Sequence, residues 1–195
     1  MGIKINVSPG FILIWTAVYF FDPGDMFLPV CVSAAVHELC HLLAISLVGC
    51  RVEAVNLRVI GLEIVCKDRF LSYPREFICA AAGPAGSLIF SICAAEFGDY
   101  VLAGMNISLF LFNILPLKPL DGGRMIYAVT AWIWDSDRAE KAVKVCSVIV
   151  IVALSISAIV FRKWVFVYFT LVACKISGNG VKFQVKRRND LRNRG

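Results

Sequence analysis

Only two histidines occur in the chain, and both fall in the segment His37-Glu38-Leu39-Cys40-His41. Residues four apart on a helix project from one face, so two imidazole nitrogens can share one tetrahedral zinc while Glu38 stands beside its water. Such an arrangement suits hydrolysis. A catalytic zinc takes three protein ligands and keeps one position open, and no third histidine is available to supply the missing one. Asp121 is the candidate. It follows an apolar run in Asn113-Ile114-Leu115-Pro116-Leu117-Lys118-Pro119-Leu120-Asp121-Gly122-Gly123-Arg124. Two prolines and two glycines bracket it, so plain helix is not expected to run through. Broken backbone at membrane depth is tolerated where it is buried in protein or lines a polar cavity. By local chemistry alone Asp121 also reads as a turn residue ahead of two glycines, and both readings stand at this point.

The elements that must position these groups are apolar. Hydrophobic residues make up 59% of the chain, against about 45–50% for an ordinary soluble domain, and ionisable groups at bilayer depth are costly to keep without a purpose. Six apolar segments can be drawn: Gly10 to Phe21, Met26 to Val48, Phe77 to Ala95, Tyr100 to Leu115, Val143 to Phe161 and Trp164 to Ile176. Several are shorter than the roughly 20 residues of a perpendicular span, which points to tilted, bent or re-entrant elements. Between the second and third, Val55, Leu57 and Val59 alternate with Asn56 and Arg58, and after Gly61 the alternation resumes around Glu63, the pattern of a β-hairpin or of an amphipathic surface segment. The expected fold class is therefore an all-α polytopic membrane protein of about six transmembrane helices, with a small membrane-associated β-hairpin between helices two and three. Residues 1–177 are expected to form the membrane domain and 178–195 a basic cytoplasmic tail.

Loop charge sets the orientation. Asp22 and Asp25 lie in one turn and Glu96 and Asp99 in another, while Arg51, Arg58, Lys67, Arg69 and Arg75, and Lys118, Arg124, Arg138, Lys141 and Lys144, occupy the opposite loops. Basic loops are cytoplasmic, which puts both termini and the tail from Lys182 to Arg194 inside; Arg162-Lys163 is the exception. The tail suits lipid headgroups and lacks the aromatic interleaving of a nucleic-acid binder. Eight cysteines include no C-x-x-C pair and read mainly as small buried hydrophobes. Trp132 and Trp134 beside charged residues read as an interfacial anchor.

Three segments in order, His37-Glu38-Leu39-Cys40-His41, Gly83-Pro84-Ala85-Gly86-Ser87 and Asn113 to Gly123, resemble the site-two protease family of intramembrane zinc metalloproteases. The resemblance covers essentially the whole hydrophobic core and is to the minimal, sporulation-type branch. It implies that His37, His41 and Asp121 bind Zn2+, that Glu38 activates water, and that Asn113 helps hold the substrate or its oxyanion. Ser87 stands where the family's glycine-proline motif commonly has asparagine; serine can still hydrogen-bond, so Ser87 joins Asn113 on the substrate side. The implied activity is zinc metalloendopeptidase cleavage in or near a transmembrane segment of a membrane-associated client, such as a sigma-factor precursor. The expected setting is a multi-pass protein of a bacterial cell membrane with its active site towards the cytoplasm. The implied partners are that protein substrate, the lipid bilayer and regulatory membrane proteins, without nucleic acid. The alternative class is a zinc-binding membrane protein without proteolysis, a transporter or client-binding pseudoprotease. Glu38 separates the two, because metal binding alone needs no general base.

Overall fold

In the computed structural model of the chain, the described residues are 4–161 apart from 23, 51, 59–60, 67–71 and 119. They form β1 (Lys4–Val7), α1 (Pro9–Phe20), α2 (Phe27–Leu47), β2 (Val52–Arg58), β3 (Gly61–Cys66), α3 (Tyr73–Glu96), α4 (Tyr100–Asn113), α5 (Asp121–Ile133) and α6 (Ser136–Phe161). Two compact units result, one of Met1–Arg69 with Ala85–Phe110 and one of Phe70–Pro84 with Leu111 onward. The expected segment Trp164 to Ile176, the Arg162-Lys163 pair and the basic tail lie outside the described residues.

In the first unit β2 and β3 pair antiparallel as the expected hairpin, with a register shift between Val52 and Ala54. The sheet has a third strand. β1 runs parallel to β2, Lys4 opposite Ala54 and Val7 opposite Leu57, and Asn6 Nδ2 donates to Asn56 Oδ1 at 2.9 Å. Parallel strands need a long crossover, here made by α1 and α2. The strand order β1-β2-β3 leaves β2 central, so among the described residues the free strand edges belong to β1 and β3.

Local capping fixes the helix ends. Ser8 Oγ accepts from the Phe11 N–H at 3.2 Å, with Pro9 opening α1, a side-chain cap followed by a preset φ. Asp22 Oδ2 accepts from the Phe27 N–H at 2.7 Å and so caps α2 from the preceding turn. That hydrogen bond is the main cause holding the Asp22 carboxyl below its ordinary pKa, partly opposed by desolvation. At the other end of α2, Gly49 has φ +77°, the Gly49 N–H bonds Ser46 O and the Cys50 N–H bonds Ile45 O. This pair of bonds satisfies carbonyls that the helix leaves open and uses the left-handed conformation glycine adopts without strain. The same arrangement recurs at Gly98 and ends α3. Asp99 Oδ1 then accepts from the Leu102 N–H at 3.0 Å to start α4.

The faces of α2 are inverted relative to a soluble protein. Ser33, His37 and His41 are buried while Leu28, Leu39, Leu43 and Leu47 are exposed. A helix with leucine outside and polar groups inside is solvated by lipid rather than water. Phe27–Leu47 and Tyr73–Glu96 are long and apolar enough to cross a bilayer, while Pro9–Phe20 and Tyr100–Asn113 are shorter apolar helices.

In the second unit, α5 and α6 pack through buried Tyr127, Ala131, Ala139 and Val143. Asp135 starts α6 by accepting from the Arg138 N–H at 2.7 Å. Helix α5 is a correction to the sequence reading, which drew no helix between Gly122 and the tryptophans. A helix of 13 residues opening on two glycines has weak intrinsic propensity, and packing on α6 supplies what propensity does not.

Candidate metal centre

His37 and His41 occupy successive turns of α2, with 5% and 6% of their surface exposed. Their Nε2 atoms lie 3.2 Å apart and their rings meet edge to face, centroids 4.8 Å apart. For metal–nitrogen bonds of about 2.0–2.1 Å, the ligand–ligand edge of a tetrahedron is about 3.4 Å, so the pair is already spaced to share an ion. The His37 ring is held from behind, its Nδ1 2.9 Å from Ser87 Oγ. Ser87 is fully buried on α3. Next to it in sequence, Gly86 meets α2 so closely that an added Cβ would overlap the Cys40 side chain. The glycine is what lets the serine reach the histidine. Glu38 follows His37 directly and is half-buried.

One turn before His37, Ser33 Oγ accepts from Asn106 Nδ2 at 2.8 Å, and the same Nδ2 donates to Leu102 O at 2.9 Å. Asn106 is a buried α4 residue that the sequence reading passed over, having fixed on Asn113. Asn113 is the last residue of α4 and is half-buried.

Asp121 is the first residue of α5 and is 6% exposed. The chain from Ile114 to Lys118 presses against the start of this helix. A Cβ on Gly122 would overlap Ile114 O, and one on Gly123 would overlap Leu117 O. The two glycines thus serve close backbone approach, and Asp121 is fixed at a helix N-terminus where negative charge is favoured. Arg124 Nη1 lies 3.3 Å from Asp121 Oδ1, while its Nε and Nη2 both donate to Glu76 Oε1, at 3.0 and 2.8 Å. Sequence reading counted Arg124 only as a topology-setting loop charge and did not single out Glu76. The available signal was the three-residue spacing from Asp121 to Arg124, which pairs side chains on a helix.

The donor set tests well against a metal ion. Ligand atoms of His37, His41 and Asp121 lie within 4.8 Å of one another, and all three residues are buried. Two imidazoles and one carboxylate make three protein ligands, the number a catalytic rather than a structural zinc site takes.

Peptidase family M50 matches residues 96–157, the stretch that contains Asn113 and Asp121. Rip3 of Mycobacterium tuberculosis, which carries a provisional zinc-metalloprotease name, is 35% identical over 129 residues, covering 55% of this chain and 31% of that protein. A zinc metalloprotease of Methanocaldococcus jannaschii is 27% identical over 194 residues, 87% of this chain and 57% of that one. The chain therefore spans between about a third and just over half the length of these curated relatives. The solved structure of a site-2 protease from Methanocaldococcus jannaschii superposes with a TM-score of 0.67 at 20% identity, covering 96% of each chain, and shows that the fold is shared. The family match over residues 96–157, the curated relatives and the shared fold agree in what this chain is similar to, the zinc metalloproteases of the M50, or site-two protease, family.

Proposed function

We propose that this chain is an intramembrane zinc metallopeptidase that hydrolyses a peptide bond in or near a transmembrane segment of a membrane-associated protein. The observation that carries the reading is the buried trio of His37, His41 and Asp121, with donor atoms within 4.8 Å of one another, beside a glutamate that ligation does not require. His37, His41 and Asp121 hold the zinc. When bound, zinc acts as a Lewis acid, lowering the pKa of water towards about 7 and polarising a carbonyl.

Glu38 accepts the proton of the attacking water and returns it to the leaving amine, the two transfers peptide hydrolysis requires. Asn113 donates to the developing oxyanion. A helical client hides its carbonyls in hydrogen bonds and must be unwound first. Among the described residues the outer edges of β1 and β3 carry no further strand, and an extended peptide can be held on one of them. The chain crosses a bacterial cell membrane several times, six by the apolar segments, with its site opening to the cytoplasm. Its client is of the class of membrane-tethered transcription-factor precursors.

The test is Glu38→Gln, which keeps size and hydrogen bonding and removes the base. Zinc content and membrane insertion are expected to survive, while cleavage of a co-expressed client falls by at least the factor of about 100 typical of general-base loss. Undiminished cleavage by the variant overturns the hydrolytic reading and leaves the transporter or client-binding alternative.

A further inference from the structure

The hydrogen bond behind His37 carries information about which ring nitrogen holds the proton. A neutral imidazole has one N–H and one bare nitrogen, and only the bare nitrogen can ligate a metal. The His37 Nε2 faces the His41 Nε2 at 3.2 Å, while its Nδ1 faces Ser87 Oγ at 2.9 Å. Ligation through Nε2 therefore requires the proton on Nδ1, where it can be donated to the serine hydroxyl.

We infer that Ser87 is a positioning residue for the metal, one that accepts the His37 Nδ1–H and so holds the ring in the tautomer and orientation that present Nε2 to the ion. This rests on the zinc reading above and replaces the expectation that Ser87 contacts substrate. The geometry suits that role. Ser87 has no exposed surface with which to meet a client, and the missing Cβ of Gly86 sets the helices close enough for a two-atom side chain to reach the ring. Partners of this kind fix the ligand's tautomer and raise its basicity, and losing one typically weakens metal binding about 10–100-fold.

Ser91, one turn further along α3, supplies the control. It is also buried, and its hydroxyl donates to Ala103 O at 2.8 Å without touching a histidine. Removing either hydroxyl costs a buried hydrogen bond, but only one of them bears on His37.

The experiment uses the purified full chain labelled with 15N-histidine, whose two ring systems are separated by a His41→Ala variant. Spectra of metal-free protein are recorded at a pH where both rings are neutral, and zinc dissociation constants are measured by competition with a chelator. The native chain is expected to show His37 with its proton on Nδ1. Ser87→Ala should shift the ring towards the Nε2–H tautomer and weaken zinc binding about 10–100-fold, while Ser91→Ala leaves both unchanged. A native His37 protonated on Nε2, or a Ser87→Ala protein matching Ser91→Ala in tautomer and affinity, overturns the inference. Failure of the native chain to bind zinc at all would instead overturn the reading on which it rests.

Discussion

At the scale of single residues, each of two metal-type ligands is backed by one further side chain. His37 leans on Ser87, and Asp121 leans on Arg124, which is itself held by Glu76. Burial opposes the Arg124 charge, but Glu76 and Asp121 outweigh it and hold the guanidinium above its ordinary pKa. Removing one partner of such a pair costs far more than the pair contributes, because a buried charge is left behind. Arg124→Met is therefore expected to destabilise the protein by about 3 kcal/mol, the low end for a buried pair, because the Arg124 side chain keeps 32% of its surface exposed. Adding Glu76→Gln should recover part of that loss. Denaturant titrations of the single and double variants in detergent measure both, and equal stability of the single variant and the native chain would show that the pair does not anchor Asp121.

At the scale of elements, the approach of α2 and α3 at Gly86 and the capping of α2 are the contacts that align the histidines. An added side chain at Gly86 must displace Cys40, and overpacking of this kind typically costs about 1–3 kcal/mol. Gly86→Val should lower stability by that amount, with partial recovery on adding Cys40→Ala; unfolding curves decide it. The cap at Asp22 makes a pH prediction. Its carboxyl is held below the ordinary value by the Phe27 N–H, so what the charged cap contributes is present above the unfolded pKa and is lost as pH falls through the lowered one. The gap in Tm between the native chain and Asp22→Ala should be full near neutrality and shrink below the usual carboxylate range. A gap independent of pH would mean that the charge of Asp22 plays no part in the cap.

At the scale of the whole molecule, the association with the bilayer follows from α2 and α3, whose length and apolarity suffice for crossing. In the proposed orientation the basic loops face the cytoplasm. A single cysteine placed at Lys118, in a background with the native cysteines replaced, should be labelled by an impermeant reagent in inside-out vesicles and not in right-side-out ones. The reverse pattern would invert the topology and with it the side from which a client enters.

What the sequence determined by itself was whatever depends on near neighbours along the chain. The shared face of His37 and His41 follows from helical periodicity alone. The break before Asp121 was legible because Pro116, Pro119, Gly122 and Gly123 disfavour continued helix locally, and the hairpin was legible in the alternation around residues 55–64. Tertiary structure decided the pairings between distant positions. Ser87 and His37 are 50 residues apart, Arg124 and Glu76 are 48 apart, and Asn6 and Asn56 are 50 apart. β1, with four residues, is too short to announce itself and exists through its ladder with β2. Helix α5 likewise opens on glycines that argue against it and is held by packing on α6. Short-range periodicity is written into successive residues, whereas the partner of a buried polar group is fixed only when packed helices bring it within hydrogen-bonding distance and leave it no water to turn to.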